Sequence, residues 1–241
     1  VTSEGGYYDT EAGLNAVVNA CYTPLRFWAG KEDAIGLSET GTDIIAAGSG
    51  CVDNNMAAYT QSLDGTNSAC TFYFDRFYAA INWCNTAIFH AQTVPNPSND
   101  EILATTLNKR EAEARVLRTF YYWILTETFG DTYYTDQPST SIVMNPVKTS
   151  TDNIYQYMFD DLDWAIKSKL STLQNDGGRV TIWTAKALKA RLLLTRASEK
   201  NDVDMYGQAY DLAKDVIENG PFELAEDFAS IWDMKNSDGN S

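Results

Sequence analysis

Hydrophobic and polar positions recur with a helical period along most of this chain, and the pattern is densest between Asn108 and Asp131. There Glu111, Arg115, Arg118 and Tyr122 stand at i, i+4, i+7 and i+11, one polar stripe along a helix. Most other positions from Val116 to Leu125 are apolar or aromatic, including Phe120, Tyr121, Trp123 and Ile124. So narrow a stripe predicts a central helix enclosed by other helices. Ser98 and Glu101 are spaced as a capping box at its start, and Phe129-Gly130-Asp131 ends it.

The flanking segments repeat the theme. Asp9 or Thr10 caps a first helix with Leu14, Val17, Val18, Cys21 and Tyr22 on its apolar positions, expected to end near Trp28. An aromatic helix is expected from about Thr71 to Thr93, closed by Pro95 and Pro97. Asp152 or Asn153 starts another, with Ile154, Tyr157, Met158, Leu162, Ala165 and Ile166 inward. After a turn at Asp176-Gly177-Gly178, helices are expected over Thr181–Ala197 and about Val203–Asn219, the last ended by Gly220-Pro221. Trp183, Ala187 and Leu188 followed by Tyr206, Ala209, Tyr210 and Ala213 make that pair similar to one tetratricopeptide repeat. Residues 29–67 and 130–150 lack a period and are rich in Gly, Asp and Asn or in Tyr and Pro. Loops of this length usually carry function or are disordered. The fold class expected is all-α, degenerate tetratricopeptide-like hairpins with long irregular loops and few or no strands.

Charge narrows the partners. With 18 basic and 33 acidic side chains the net charge is −15, which argues against a nucleic-acid phosphate backbone. No apolar run is long enough to span a bilayer. The opening VTSEGGYYD does not read as a signal peptide, so the chain is expected to be mature or cytosolic. Aromatics stand out, with 14 Tyr, 10 Phe and 6 Trp. Acidic and aromatic together suit carbohydrate, whose C–H faces stack on rings while carboxylates and amides hold hydroxyls.

Cysteine and histidine offer little chemistry. There is no CxxC, and His90 is the single histidine, so neither a zinc site nor any cofactor is expected. Cys21 and Cys84 read as small buried residues. Cys51 and Cys70 flank a loop and are the pair expected in an oxidising compartment, although spacing leaves the connectivity open. Asp160, Asp161 and Asp163 on one helix read as a solvated face. Glu111, Arg115 and Arg118 read as an intrahelical ion pair with packing contacts. No catalytic constellation is visible, and no enzyme is expected.

Four stretches carry a family resemblance: FYFDRFYAAINWCNTAI with paired Asn82 and Asn85, EAEARVLRTFYYWILTETFGD, NPVKTSTDNIYQYMFDDLDWAI, and GGRVTIWTAKALKARLLL. In this order they resemble the SusD/RagB family of glycan-capturing lipoproteins of Bacteroidetes outer membranes, over roughly Tyr7 to Trp232. The resemblance implies a non-enzymatic protein at the outer-membrane surface that delivers oligosaccharides to a SusC-like TonB-dependent transporter. It implies a lipid anchor near the mature N-terminus, although the anchoring cysteine is not in this sequence. Family members are about twice this length, so residues 1–241 are expected to be one SusD-like helical domain, the N-terminal half of a longer protein.

Candidate ligand residues lie mainly in the long loop. LSETGTD, with Glu39 and Asp43, resembles the family's acidic stretch that opens this loop; Asp43 could equally be a turn or helix-cap residue. Trp28 is a candidate for ring stacking or a core residue at a helix end. Tyr59, in a polar context with Asp53 and Asn54, is a ring a sugar could stack on. Two other readings stay open: a helical-repeat module binding protein or peptide without a sugar site, and a glycoside hydrolase, which needs facing carboxylates in a cleft.

Overall fold

The computed structural model describes residues 4–30, 32–46, 48, 54–96, 98–168, 170–172 and 178–232. In chain order the elements are α1 (Glu4–Tyr8), α2 (Glu11–Tyr22), α3 (Leu25–Gly30), α4 (Glu32–Ser38), α5 (Asn54–Ala58) and α6 (Ser68–Thr93). Then follow α7 (Glu101–Phe129), β1 (Thr132–Tyr133), β2 (Lys148–Thr149), α8 (Thr151–Lys167), α9 (Ile182–Lys200) and α10 (Val203–Asn219), and a 3-10 turn over Phe228–Trp232. The chain is all-α, as its periodicity predicts. Each long helix packs on the next, α6 on α7, α7 on α8, α8 on α9 and α9 on α10, while α2 lies against both α6 and α7. Helix α7 is the centre: Val116, Leu117, Tyr121 and Leu125 are buried against Leu14, Val18, Phe77, Ile81, Ile154 and Leu162 of its neighbours.

Several boundaries differ from expectation, each for a local reason. The first helix breaks after Tyr22, not at Trp28, because Pro24 has no N–H for the Ala20 carbonyl. Thr23 N–H takes that carbonyl at 3.1 Å, and the Pro24 carbonyl then accepts from Phe27 and Trp28 to start α3. The α6 helix begins earlier than Thr71, where Asn67 Oδ1 accepts from Ala69 and Cys70 N–H. Asp100, not Ser98, caps α7, accepting from Ile102 N at 2.8 Å and Leu103 N at 3.2 Å. A preceding turn decides this, with Asn99 at φ 52° and Asn96 Oδ1 holding Asp100 N–H at 2.9 Å. Ser150 caps α8, whose inward face carries Tyr155 at 1 % exposure, with Tyr157 at 39 %. The α9 helix runs on to Lys200, where Asn201 takes the left-handed conformation. The long loop holds the short helices α4 and α5. Of the turn expected at Asp176-Gly177-Gly178, only Gly178 is among the described residues.

One acid is not on a solvated face. Asp161, 5 % exposed, accepts a forked pair from Arg118 (Nε and Nη2, both 2.8 Å) and a further bond from Arg115 at 2.5 Å. Arg115 also reaches back to Glu111 Oε1 at 2.7 Å, the intrahelical pair expected, and Gln92 donates to the same oxygen. The polar stripe of α7 is therefore the seam that joins α6, α7 and α8.

The helix joints are also polar. Asp131, just past α7, accepts from Thr151 N–H at 2.8 Å and Thr151 hydroxyl at 2.9 Å at the start of α8. The Thr151 backbone N–H, then its hydroxyl, hold the Asp131 carboxyl below its ordinary pKa. A carboxylate so depressed contributes stability above the unfolded aspartate pKa, about 3.9, that is lost as pH falls below it. Asp131→Asn should therefore lower the thermal midpoint at neutral pH, with the two melting curves converging as the pH is taken below about 4.

Candidate functional site

The turn after α4 is built tightly. Glu39 N–H closes on the Ile35 carbonyl at 2.9 Å, and the Glu39 carbonyl accepts from Thr42 N–H (3.2 Å) and Thr42 hydroxyl (2.7 Å). Gly41 follows at φ +92°. A Cβ there would stand 2.8 Å from the Met56 carbonyl oxygen and 2.9 Å from the Tyr59 hydroxyl. Only glycine allows both that backbone angle and that approach. The turn thus lies flush against the end of α5 and the Tyr59 ring. Tyr59 itself has φ 49°, yet its side chain is 71 % exposed.

The result is an open cleft of about 470 Å³ bounded by Gly41, Thr42, Asp43, Ile45, Ala57 and Ala58. Asp43 is exposed on its rim, Glu39 anchors the turn that presents it, and Tyr59 borders it through Gly41. Trp28 faces elsewhere, edge-on to Phe77 at 5.9 Å and Phe120 at 6.4 Å, half-buried on the helix core. Asn54 opens α5, but its side chain, with Asp53 and Cys51, lies outside the described residues. The Cys51–Cys70 pairing therefore lies outside them as well.

A second irregular segment, residues 134–147, is more ordered than its sequence suggests. Strands β1 and β2 pair antiparallel at its base, Thr132 with Thr149 and Tyr133 with Lys148. Three positions on one face of α6 then hold it down. Tyr78 hydroxyl donates to the Tyr133 carbonyl at 2.6 Å; Asn82 Oδ1 accepts from Ser139 N–H at 2.7 Å. Asn85 Nδ2 donates to the carbonyls of Thr135 (3.0 Å) and Gln137 (3.1 Å). From α7, Tyr122 hydroxyl donates to the Thr135 carbonyl and accepts from Thr135 N–H, both at 2.9 Å. Burial raises the Tyr122 hydroxyl pKa well above the ordinary value, so it stays protonated and able to donate. Arg118 fixes the Asn85 amide by donating to its Oδ1 at 2.8 Å. Beyond, Tyr134 stacks on Tyr157 with ring centroids 4.3 Å apart. The paired Asn82 and Asn85 were the one sequence signal for this arrangement.

Other chemistry has little place to gather. Among the described residues no group of three or more His, Cys, Asp or Glu is placed to hold a metal ion. His90 Nδ1 lies 2.9 Å from Asp9 Oδ1, a contact between α6 and the first turn. No described helix is long and apolar enough to cross a membrane.

Comparison with known proteins agrees with this architecture. The family described as "Starch-binding associating with outer membrane" matches residues 42–238. A SusD-like protein of Bacteroides ovatus is 29 % identical over 167 residues, 67 % of this chain and 30 % of that protein. Among solved structures, a SusD homologue from Bacteroides thetaiotaomicron superposes with a TM-score of 0.79 at 20 % identity, covering 95 % of this chain and 44 % of its own. A further solved structure, with a xylogluco-oligosaccharide, gives 0.74 at 22 % identity, covering 94 % of this chain and 44 % of its own. The chain thus spans less than half the length of each of these proteins.

Proposed function

This chain belongs to the SusD-like family of starch-binding proteins that associate with the outer membrane, and from that premise we propose that it captures glycan without cleaving it. Its working place is the outer-membrane surface, held by a lipid anchor, and it passes oligosaccharide to a SusC-like TonB-dependent transporter. Residues 1–241 act as one SusD-like helical domain in this role. The observation that carries the reading is the cleft between the Glu39–Asp43 turn and α5. An exposed aromatic ring, Tyr59, lies against Gly41, and Asp43, two residues on, lines the cleft. A ring face for sugar C–H groups and an anionic acceptor for sugar hydroxyls are the two things a surface glycan site requires. The xylogluco-oligosaccharide carried by a structure of the same fold supports the ligand class.

A glycan-array screen of the complete gene product tests this, with Tyr59→Ala and Asp43→Ala alongside. Tyr59→Ala should weaken binding to one glycan class about tenfold, the loss of about 1.4 kcal/mol of stacking and contact. Asp43→Ala should act on the same class, and both variants should keep the wild-type circular dichroism spectrum. Failure of every glycan to bind would point to a helical-repeat module for peptide or protein.

A further inference from the structure

The second irregular segment encloses its own space. Between α6 and residues 133–143 lies a cleft of about 490 Å³, within the roughly 300–1,000 Å³ range of small-molecule sites. It is lined by Tyr78 and Asn82, one turn apart on α6, and by Tyr133, Gln137, Ser139 and Thr140 of the segment. In a chain where 21 % of residues are charged, none of the residues lining this cleft is. That composition disfavours ions, nucleotides and charged peptides, which need a countercharge once desolvated.

The polar groups in the cleft are only partly used. Asn82 Oδ1 is engaged by Ser139 N–H, but its Nδ2 amide hydrogens have no partner among the described residues. The Tyr133 and Thr140 hydroxyls likewise have none. Asn82 is held through its Oδ1 by Ser139 N–H, and Asn85 and Tyr122 fix the backbone of residues 135 and 137 nearby, so a ligand would find this part of the cleft pre-organised.

We propose that this cleft is a second carbohydrate site, taking a neutral oligosaccharide by the free Asn82 amide, the Tyr133 ring and hydroxyl, and the Thr140 hydroxyl. An amide donor, neutral hydroxyls and one ring match sugar hydroxyls and a sugar C–H face, with no demand for charge. The proposal rests on the glycan-capture reading and adds to it: the chain grips a polysaccharide at two places, on the α4–α5 side and between α6 and the 134–147 segment. Two linked sites raise avidity for long chains above that for short ones.

The test titrates the ¹⁵N-labelled complete gene product with maltoheptaose, laminarihexaose and a xylogluco-oligosaccharide, following side-chain and backbone amide resonances. One of these sugars should shift the Asn82 side-chain NH₂ and the Ser139 and Thr140 amides saturably, and should do so equally in Tyr59→Ala. Asn82→Asp keeps an acceptor for Ser139 N–H and so preserves the segment, but it replaces the free donor with a carboxylate. It should weaken that binding about tenfold, as should Tyr133→Ala, with an unchanged thermal midpoint for Asn82→Asp. Shifts confined to the Gly41–Tyr59 region would overturn the second site while leaving glycan capture standing. Silence at both regions with all three sugars would overturn both readings. Wild-type affinity in Asn82→Asp, or saturable shifts there from a neutral peptide with none from sugars, would also overturn this assignment.

Discussion

Arg118→Ala should destabilise the chain by roughly 3 kcal/mol or more, within the range for breaking a buried ion pair from one side. Arg118 is 3 % exposed and Asp161 5 %, and the guanidinium grips the carboxylate through two parallel bonds of 2.8 Å. Removing it leaves Asp161 with Arg115 alone, which places the loss toward the lower end of roughly 3–5 kcal/mol. Arg118→Lys keeps the charge but cannot fork, so it should fall between wild type and alanine. Urea unfolding measures all three. Arg118→Met combined with Asp161→Leu should lose less than the sum of the single changes, because no charge is then buried unpaired. A loss under about 1 kcal/mol for Arg118→Ala would mean the pair behaves as a solvated one. The same variant also frees Asn85 Oδ1, which orients the amide that holds residues 135 and 137. Hydrogen exchange at that segment should therefore rise more than elsewhere on the surface.

How much of this could be read beforehand depends on the range of the interaction. The α7 helix was legible because its polar stripe and its apolar faces are properties of one segment. The α10 limits were legible too, since an apolar period over Val203–Asn219 runs into Gly220-Pro221. Cap choice was less so: Asp100 outcompetes Ser98 because Asn96 and Asn99 shape the turn before it, an effect of side chains on backbone rather than of residue type. Pro24 announced a break that the apolar period running through it concealed. Asp161 could not be read at all. Three acids on one helix give no hint that the middle one meets an arginine 43 residues away. The irregular segments fail for a related reason: Asn85 and Tyr122 bind backbone carbonyls, which every sequence has. In the candidate site, Glu39, Asp43 and Tyr59 were visible as residue types, whereas the approach of Tyr59 to Gly41 depends on a positive φ and a fold-dependent contact.

The aromatic cluster of the helical core gives a second large effect, and it links packing to binding. Phe77, fully buried on α6, touches Phe27 (centroids 5.5 Å), Trp28 (5.9 Å) and Tyr121 (6.3 Å). Phe27 and Trp28 are on α3, which packs on α4, and α4 leads directly into the Glu39–Asp43 turn. Phe77→Ala should cost roughly 3–5 kcal/mol through lost burial and the cavity left behind. Phe77→Leu, which fills most of the space, should cost clearly less. Because α3 loses its platform, Phe77→Ala should also speed amide exchange in α3 and α4 beyond that in α9, which packs mainly on α8 and α10. Glycan binding at the Tyr59 cleft should weaken with it, although Phe77 is completely buried and touches no ligand, and Phe77→Leu should recover most of the affinity. Urea unfolding, exchange by mass spectrometry and the glycan titration together separate the steps. If α3 exchanges at the wild-type rate in a destabilised Phe77→Ala, the turn that carries Asp43 is held by its own hydrogen bonds and by Tyr59. If α3 loosens and binding falls in parallel, the aromatic core is what keeps the cleft in shape.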